Sequence, residues 1–308
     1  LLETELTTLQ GTRFQPTGFP DLGAATYTLP DGTEMCLLES AQSMANRLEA
    51  VCWDEANNNL FPELEGIPYV LVKQGGKLLT NSLIEAHRIN SPYILESQDK
   101  LFSDRLKTEL GTLEKGPVDF RLVAKVLLKY DINTLLHGVF LAKKDIAGGR
   151  IKVPRSLSAF IEARGINVAP SGGVKFDKVD PKGDTSKGFG HVPFSRDEYT
   201  AEKITAYFNL DLAQIRGYRL DENGGENIVE ELLVKLALFK IRKFLKDGLR
   251  LRTACDLEVV GDLKLIKPET DIEIPSLEKL GTDLKELVEK VSAAGHFATP
   301  PVTEVNFE

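Results

Sequence analysis

Four histidines, three cysteines and one tryptophan in 308 residues leave little material for the common catalytic and metal-binding arrangements. His87, His137, His191 and His296 have no ligand spacing to one another or to a cysteine, and H-E-x-x-H is absent, so no metal site is expected. Cys36, Cys52 and Cys255 are odd in number and far apart, which argues against a disulfide framework or a zinc knuckle and fits core packing in a reducing cytoplasm. No Walker loop occurs and no G-x-G-x-x-G opens a helix after a strand, so no nucleotide cofactor is expected. Asp119, Asp131 and Asp145 never pair at a spacing that certifies a two-metal site. No apolar run reaches 18 residues, so no membrane-spanning segment is expected. The opening Leu1-Leu2-Glu3-Thr4-Glu5 lacks the basic start and apolar run of a secretory signal, and with no methionine at position 1 the first residues are expected to be missing. Together these absences point to a binding protein rather than an enzyme, with no catalytic residue and no cofactor.

What is present is unevenly charged. A net charge of -8 argues against indiscriminate nucleic-acid binding. Yet Lys143–Lys187 carries ten basic residues against five acidic ones, and Lys235–Arg252 seven against one. From Ala254 to Glu308 the balance reverses, five basic against twelve acidic. An acidic molecule can still line one groove with cations.

The stretch Glu39–Glu49 (ESAQSMANRLE) reads as a helix start. Ala41, Met44, Ala45, Leu48, Val51 and Cys52 keep the i, i+3, i+4 rhythm, and Ser40 stands at the N-cap. The face turned outward carries Gln42, Ser43, Asn46 and Arg47, beside free backbone N–H groups that favour an anion. The plainer alternative is an ordinary capped surface helix. His87-Arg88 offers a general base beside a phosphate clamp, or else polar structural contacts. His137, in an apolar run, is expected to be a core histidine.

Along the chain, a strand is expected over Leu6–Phe14, a helix over Ser40–Asp54 and a buried strand over Pro68–Val72. Helices are expected over Phe120–Lys129 and Leu157–Arg164, with a strand over Asn133–Lys143 between them. Gly165–Thr200, rich in Gly, Pro and Lys, reads as an extended, mobile basic excursion inserted within one domain. Ile204–Asp211 alternates as a strand, Glu226–Lys246 is a long helix closed by a left-handed cap at Asp247-Gly248, and Leu249–Val259 is a second alternating strand. Such strand–helix–strand units pair into a ferredoxin-like, RRM-like α+β core. An outer amphipathic helix follows, with Leu277, Leu280, Leu284, Leu287, Val288 and Val291 on its packed side.

Six segments taken together resemble one known family: Gly11–Pro20 (GTRFQPTGFP), Glu39–Glu49, Glu85–Ile94 (EAHRINSPYI), Leu135–Phe140 (LLHGVF), Ile204–Asp211 (ITAYFNLD) and Gly248–Leu257 (GLRLRTACDL). They are similar to the CRISPR-associated RAMP backbone subunit of type I-G (formerly I-U) Cascade complexes. The Ser-x-Gln-x-x-x-Asn-Arg element also resembles the helix start that other Cascade backbone subunits lay against guide RNA.

That resemblance implies a single RAMP domain over residues 1–308, built as a ferredoxin-like palm. A finger-like insertion would cover about 55–118, and a basic thumb-like one about 165–200. Copies would oligomerise along CRISPR RNA, holding its sugar-phosphate backbone and leaving bases free to pair with target DNA in antiviral defence. The partners implied are CRISPR RNA, other copies of the chain, the large subunit, the RNA-capping or processing subunit, and a recruited helicase-nuclease, with no membrane involved. Ser40, Gln42, Ser43, Asn46 and Arg47 would hold RNA in the palm. Ser171, Gly172, Gly173, Lys175 and Lys178 would do so from the thumb, while Arg13, Gln15, His87, Arg88, Arg250 and Arg252 complete the expected RNA-binding set.

Two other readings stay open at this point. A RAMP-type ribonuclease, processing CRISPR RNA or cutting target RNA, would need a histidine such as His87 or a metal-bound aspartate in a loop. A protein-only scaffold would purify without RNA.

Overall fold

Leu2, Thr4 and Leu6 are buried while Glu5 and Thr7 face outward, so the chain opens on a strand, β1 (Leu2–Thr8), in its computed structural model. The structure describes residues 1–19, 21, 23–97, 100–111, 115–221, 227–269 and 272–307. The strand stops short of the Leu6–Phe14 span expected. Phe14 instead pairs alone with Tyr199, through backbone bonds of 2.9 Å in each direction. Thr26–Thr28 (β2) and Glu34–Glu39 (β3) follow, and then helix α1 (Ala41–Ala50). Met44, Ala45 and Leu48 are buried on its inner side, as their spacing predicts.

Tyr69–Gln74 (β4) supplies the buried strand expected near Pro68 and pairs with Lys77–Asn81 (β5). Leu101–Leu110 forms α2, and Phe120–Tyr130 forms α3 with Val123, Leu127 and Leu128 inside. Phe120, the first helical residue, is 55% exposed in the turn capped by Asp119.

The strand expected over Asn133–Lys143 is a short helix, α4 (Asn133–His137), followed by a strand, β6 (Val139–Leu141). Gly138 breaks it: its φ is 77°, and a Cβ there would lie 2.8 Å from the Val153 carbonyl oxygen. β6 pairs with Ile151–Val153 (β7).

The helix expected over Leu157–Arg164 is a strand, β8 (Leu157–Arg164). Leu157, Ala159, Ile161 and Ala163 are buried and alternate with part-exposed residues. Leu157 and Ile161 suit either period, and hydrogen-bonded partners along both edges decide for the strand. The basic excursion is an antiparallel hairpin of Asn167–Lys175 (β9) and Val192–Thr200 (β10). Lys203–Leu210 (β11) buries Ile204, Ala206 and Phe208 as its alternation predicts.

The long helix, α5 (Ile228–Asp247), ends at Gly248, but φ there is -102° rather than left-handed. This glycine is present for room: a Cβ would sit 2.5 Å from Phe244 Cδ2, and Phe244 is fully buried. Gly248→Ala is expected to lower stability by about 1–3 kcal/mol through overpacking, read as a fall in the urea midpoint at unchanged slope. The single strand expected over Leu249–Val259 folds back at Ala254, φ 57°, into Arg250–Arg252 (β12) and Cys255–Leu265 (β13). Leu277–Ala293 (α6) and Val302–Asn306 (β14) complete the chain.

Seven strands pair in the order β12-β13-β1-β11-β8-β3-β2, every neighbour antiparallel. β11 and β13 are joined through α5, and β1 runs between them. β1 and β8 are joined through α1 and later insertions, and β11 runs between them. Each strand–helix–strand unit is thus split by a strand of the other, giving a mixed α+β architecture. α1 packs on β8, α5 on β11, and α6 covers α5. β14 adds in parallel to β4, which ties the last strand to residues 55–118. Cys36, Cys52 and Cys255 are free and buried, as packing residues.

Candidate nucleic-acid interface

The apolar period of α1 leaves Gln42 and Asn46 exposed and Ser43 and Arg47 half-buried. Ser40 caps the helix, its hydroxyl oxygen accepting from the Ser43 N–H at 3.2 Å. Just before it, the last residue of β3 buries a carboxylate. Glu39 has no exposed side-chain surface, and it accepts from Arg47 Nη2 at 3.0 Å, from Arg252 Nη2 and from Ser43 Oγ. Arg47 also donates to the Leu251 carbonyl at 2.5 Å, and Arg252 to those of Leu38 and Gln15 at 2.9 and 3.1 Å. Two guanidiniums sharing one carboxylate leave an excess positive charge, with about a quarter of each arginine side chain still exposed. Arg47, Arg252, Ser43 and Gln15 are therefore brought together, but around an internal anion rather than on open surface.

On the opposite flank of α1 lies a groove of about 910 Å³. Gln42, Asn46, His87 and Arg88 line it, joined by Asn90, Phe140, Lys152, Arg155 and Ser158. No aspartate or glutamate is among its lining residues. Arg155 Nη2 donates to Gln42 Oε1, while Gln42 Nε2 reaches Asn46 Oδ1 at 3.4 Å. Arg155 Nε is buried without a partner, and among the described residues no carboxylate pairs with this guanidinium. Burial first, and then the nearby Arg88 charge, lower the pKa of Arg155. Lys152, exposed on β7, makes no ion pair among the described residues.

Arg88 is not the phosphate clamp that its motif suggests. Its guanidinium is 6% exposed, donating to both oxygens of Glu49 at 2.5 and 2.7 Å and to the Gly138 carbonyl at 3.1 Å. Glu49 is equally buried; burial pushes its pKa up and Arg88 holds it back. Behind them Lys240 Nζ, fully buried, donates to Asn133 Oδ1 and lies 2.9 Å from His137 Nε2. The ammonium makes Nε2 the acceptor, so His137 is neutral, and burial followed by Lys240 keeps its pKa well down. His137 is the core histidine expected from sequence. His87, by contrast, is exposed at the groove edge.

The remaining candidates lie elsewhere. Gly172, Gly173 and Ser171 face Ser195, Phe194 and Arg196 across the β9–β10 hairpin, with Lys175 and Lys178 exposed toward its tip. Arg13 sits at its foot, 3.6 Å from Glu198, which also accepts from Arg196. Arg250 is 86% exposed on edge strand β12, paired only loosely with Asp256 at 3.5 Å, and joins neither the groove nor the Glu39 cluster. Lys152, Arg155 and Phe140 were not candidates from sequence. The run Lys152-Val153-Pro154-Arg155 was their one visible signal, and it gains meaning only from the pairing of β6 with β7.

A sequence profile described as CRISPR-associated protein GSU0053 matches residues 1–168, more than half of the chain. The chain belongs to this CRISPR-associated family. The matched part of this GSU0053-family protein holds α1, the groove wall at Lys152–Arg155 and strand β8. No curated protein matches it. Among solved structures it is similar to a chain described as "CRISPR RNA-guided surveillance complex, pre-nicking", at 14% identity and a TM-score of 0.40, over 96% of this chain and 89% of that one.

Proposed function

We propose that this GSU0053-family protein is a non-catalytic backbone subunit of a type I-G Cascade complex, gripping the sugar-phosphate chain of CRISPR RNA. On this reading the split strand–helix–strand sheet is a ferredoxin-like RAMP palm, and the β9–β10 hairpin is its thumb. Copies of the chain stack along the guide, which pairs with target DNA, and the large and RNA-capping subunits flank the stack. The observation that carries the proposal is the groove beside α1. Lys152 and Arg155 line it with no carboxylate among the lining residues, in a chain of net charge -8. A groove whose exposed cations face no carboxylate suits a polymer read by its backbone, since RNA-guided recognition leaves sequence to base pairing.

Arg155→Ala is expected to weaken binding of single-stranded RNA roughly tenfold, regardless of sequence, and to reduce the salt slope by about one phosphate contact. Fluorescence anisotropy across a salt series measures both. Unchanged affinity and slope in a folded variant would overturn the proposal. For the ribonuclease alternative, metal-dependent and metal-free cleavage assays of the parent and of His87→Ala decide: specific cutting abolished by that substitution would make the protein an enzyme.

A further inference from the structure

We infer that Phe140 and Lys152 form a nucleobase-stacking clasp in the groove, seating one unpaired base of a single-stranded RNA. The inference rests on the RNA-gripping reading above and names the part of the RNA that the groove's apolar side takes.

In the antiparallel register of β6 and β7, Phe140 stands directly opposite Lys152. Burial along both strands runs buried, exposed, buried. Val139, Leu141, Ile151 and Val153 therefore anchor the ribbon in the core, and its outer face offers one residue from each strand. Those two are an aromatic ring, 51% exposed, and a lysine without an ion-pair partner among the described residues. Directly opposed side chains start about 5 Å apart at Cβ, so ring and ammonium can engage the same nucleotide. Arg155 lies on the same groove wall with no carboxylate of its own.

An exposed phenylalanine ring with unneutralised cations beside it is the composition of a single-strand stacking platform. The ring takes the face of a base and the cations take adjacent phosphates. Every base has such a face, so the clasp is indifferent to sequence. An acidic peptide would satisfy the cations but would present no flat partner to the ring. A purely phosphate-gripping groove would have no use for a phenylalanine at this position.

The test uses the full chain and short poly-uridine RNAs carrying 2-aminopurine at successive positions. The parent is expected to quench 2-aminopurine at a restricted set of positions. Phe140→Leu is expected to abolish that quenching and weaken binding roughly tenfold. Phe140→Tyr should restore both, because it keeps the ring. An RNA made abasic at the quenched position should bind the parent and Phe140→Leu alike, since the partner of the ring is then missing in both. Thermal melts of each variant confirm folding, which is expected because the ring is half exposed. Phe140→Leu binding with parental affinity and quenching, while Arg155→Ala loses affinity, would overturn the clasp and spare the groove. A parent that binds no single-stranded RNA would overturn both.

Discussion

Arg88→Ala is expected to lower the free energy of unfolding by about 3–5 kcal/mol, a large share of what holds an ordinary domain together. The arginine lies in the polar-looking run Glu85–Ile94, yet its side chain is 6% exposed and its guanidinium holds both oxygens of Glu49, whose side chain is 2% exposed. Removing the cation leaves a buried carboxylate with its main compensation gone, and frees the Gly138 carbonyl that Arg88 also satisfies. The loss belongs to a broken pair and not to the pair's net worth. The double replacement Arg88→Met with Glu49→Leu, similar in volume and uncharged, is therefore expected to recover most of the stability. Urea unfolding of the parent, Arg88→Met, Glu49→Leu and the double variant closes the cycle. Should Arg88→Ala lose less than about 1 kcal/mol, the pair behaves as a solvated surface bridge and the buried assignment is wrong. A direct phosphate contact predicts the opposite pattern, lower RNA affinity at unchanged stability.

The same residue shows where the sequence stops being readable. Helix α1 was legible because period, cap and outward polar face all fall within some ten neighbouring residues, and Ser40, Met44 and Leu48 stand as expected. The role of Arg88 depends on Glu49, 39 positions away and on the buried side of another element. No local pattern carries that information. Over β8, Leu157 and Ile161 fit a helical period as well as a strand's, and only pairing with β3 and β11 separates the two. Asn133–Lys143 and Leu249–Val259 each looked continuous in hydrophobicity, but each is interrupted by one backbone conformation, at Gly138 and at Ala254. The positive groove was half visible. Gln42, Asn46 and His87 were named from helix geometry and motif, whereas Lys152 and Phe140 become neighbours only through the register of a short ribbon. Composition locates the basic segment Lys143–Lys187 that contributes Lys152 and Arg155, but not which half of it lines the groove.

Asp131→Asn is expected to turn a modest dependence of stability on pH into a much steeper one on the acid side. Asp131 is fully buried, with one carboxylate oxygen unpartnered, and its pKa is raised from the ordinary 3.8 to about 7. Burial is the main cause and the Glu49 carboxylate the second, against a partial offset from Arg88. Because the folded pKa is the higher one, the unfolded chain releases this proton first. Stability is lost as pH rises through the window from 3.8 to about 7, by up to about 1.4 kcal/mol per unit. His137 works in the other direction. Its folded pKa lies well below 6.5, so the unfolded chain binds the extra proton and stability is lost as pH falls below 6.5. In the parent the two slopes oppose each other over the shared part of that range. With asparagine at position 131 the histidine slope remains, opposed only by that of Glu49, whose pKa burial also raises. Unfolding measured at about pH 4.5 and about pH 7.5 should show the variant gaining on the parent by roughly 3 kcal/mol between the two conditions. A difference that stays constant across that interval would mean that Asp131 ionises in the folded protein as it does in water, and that the polar cluster beneath the groove is hydrated rather than sealed.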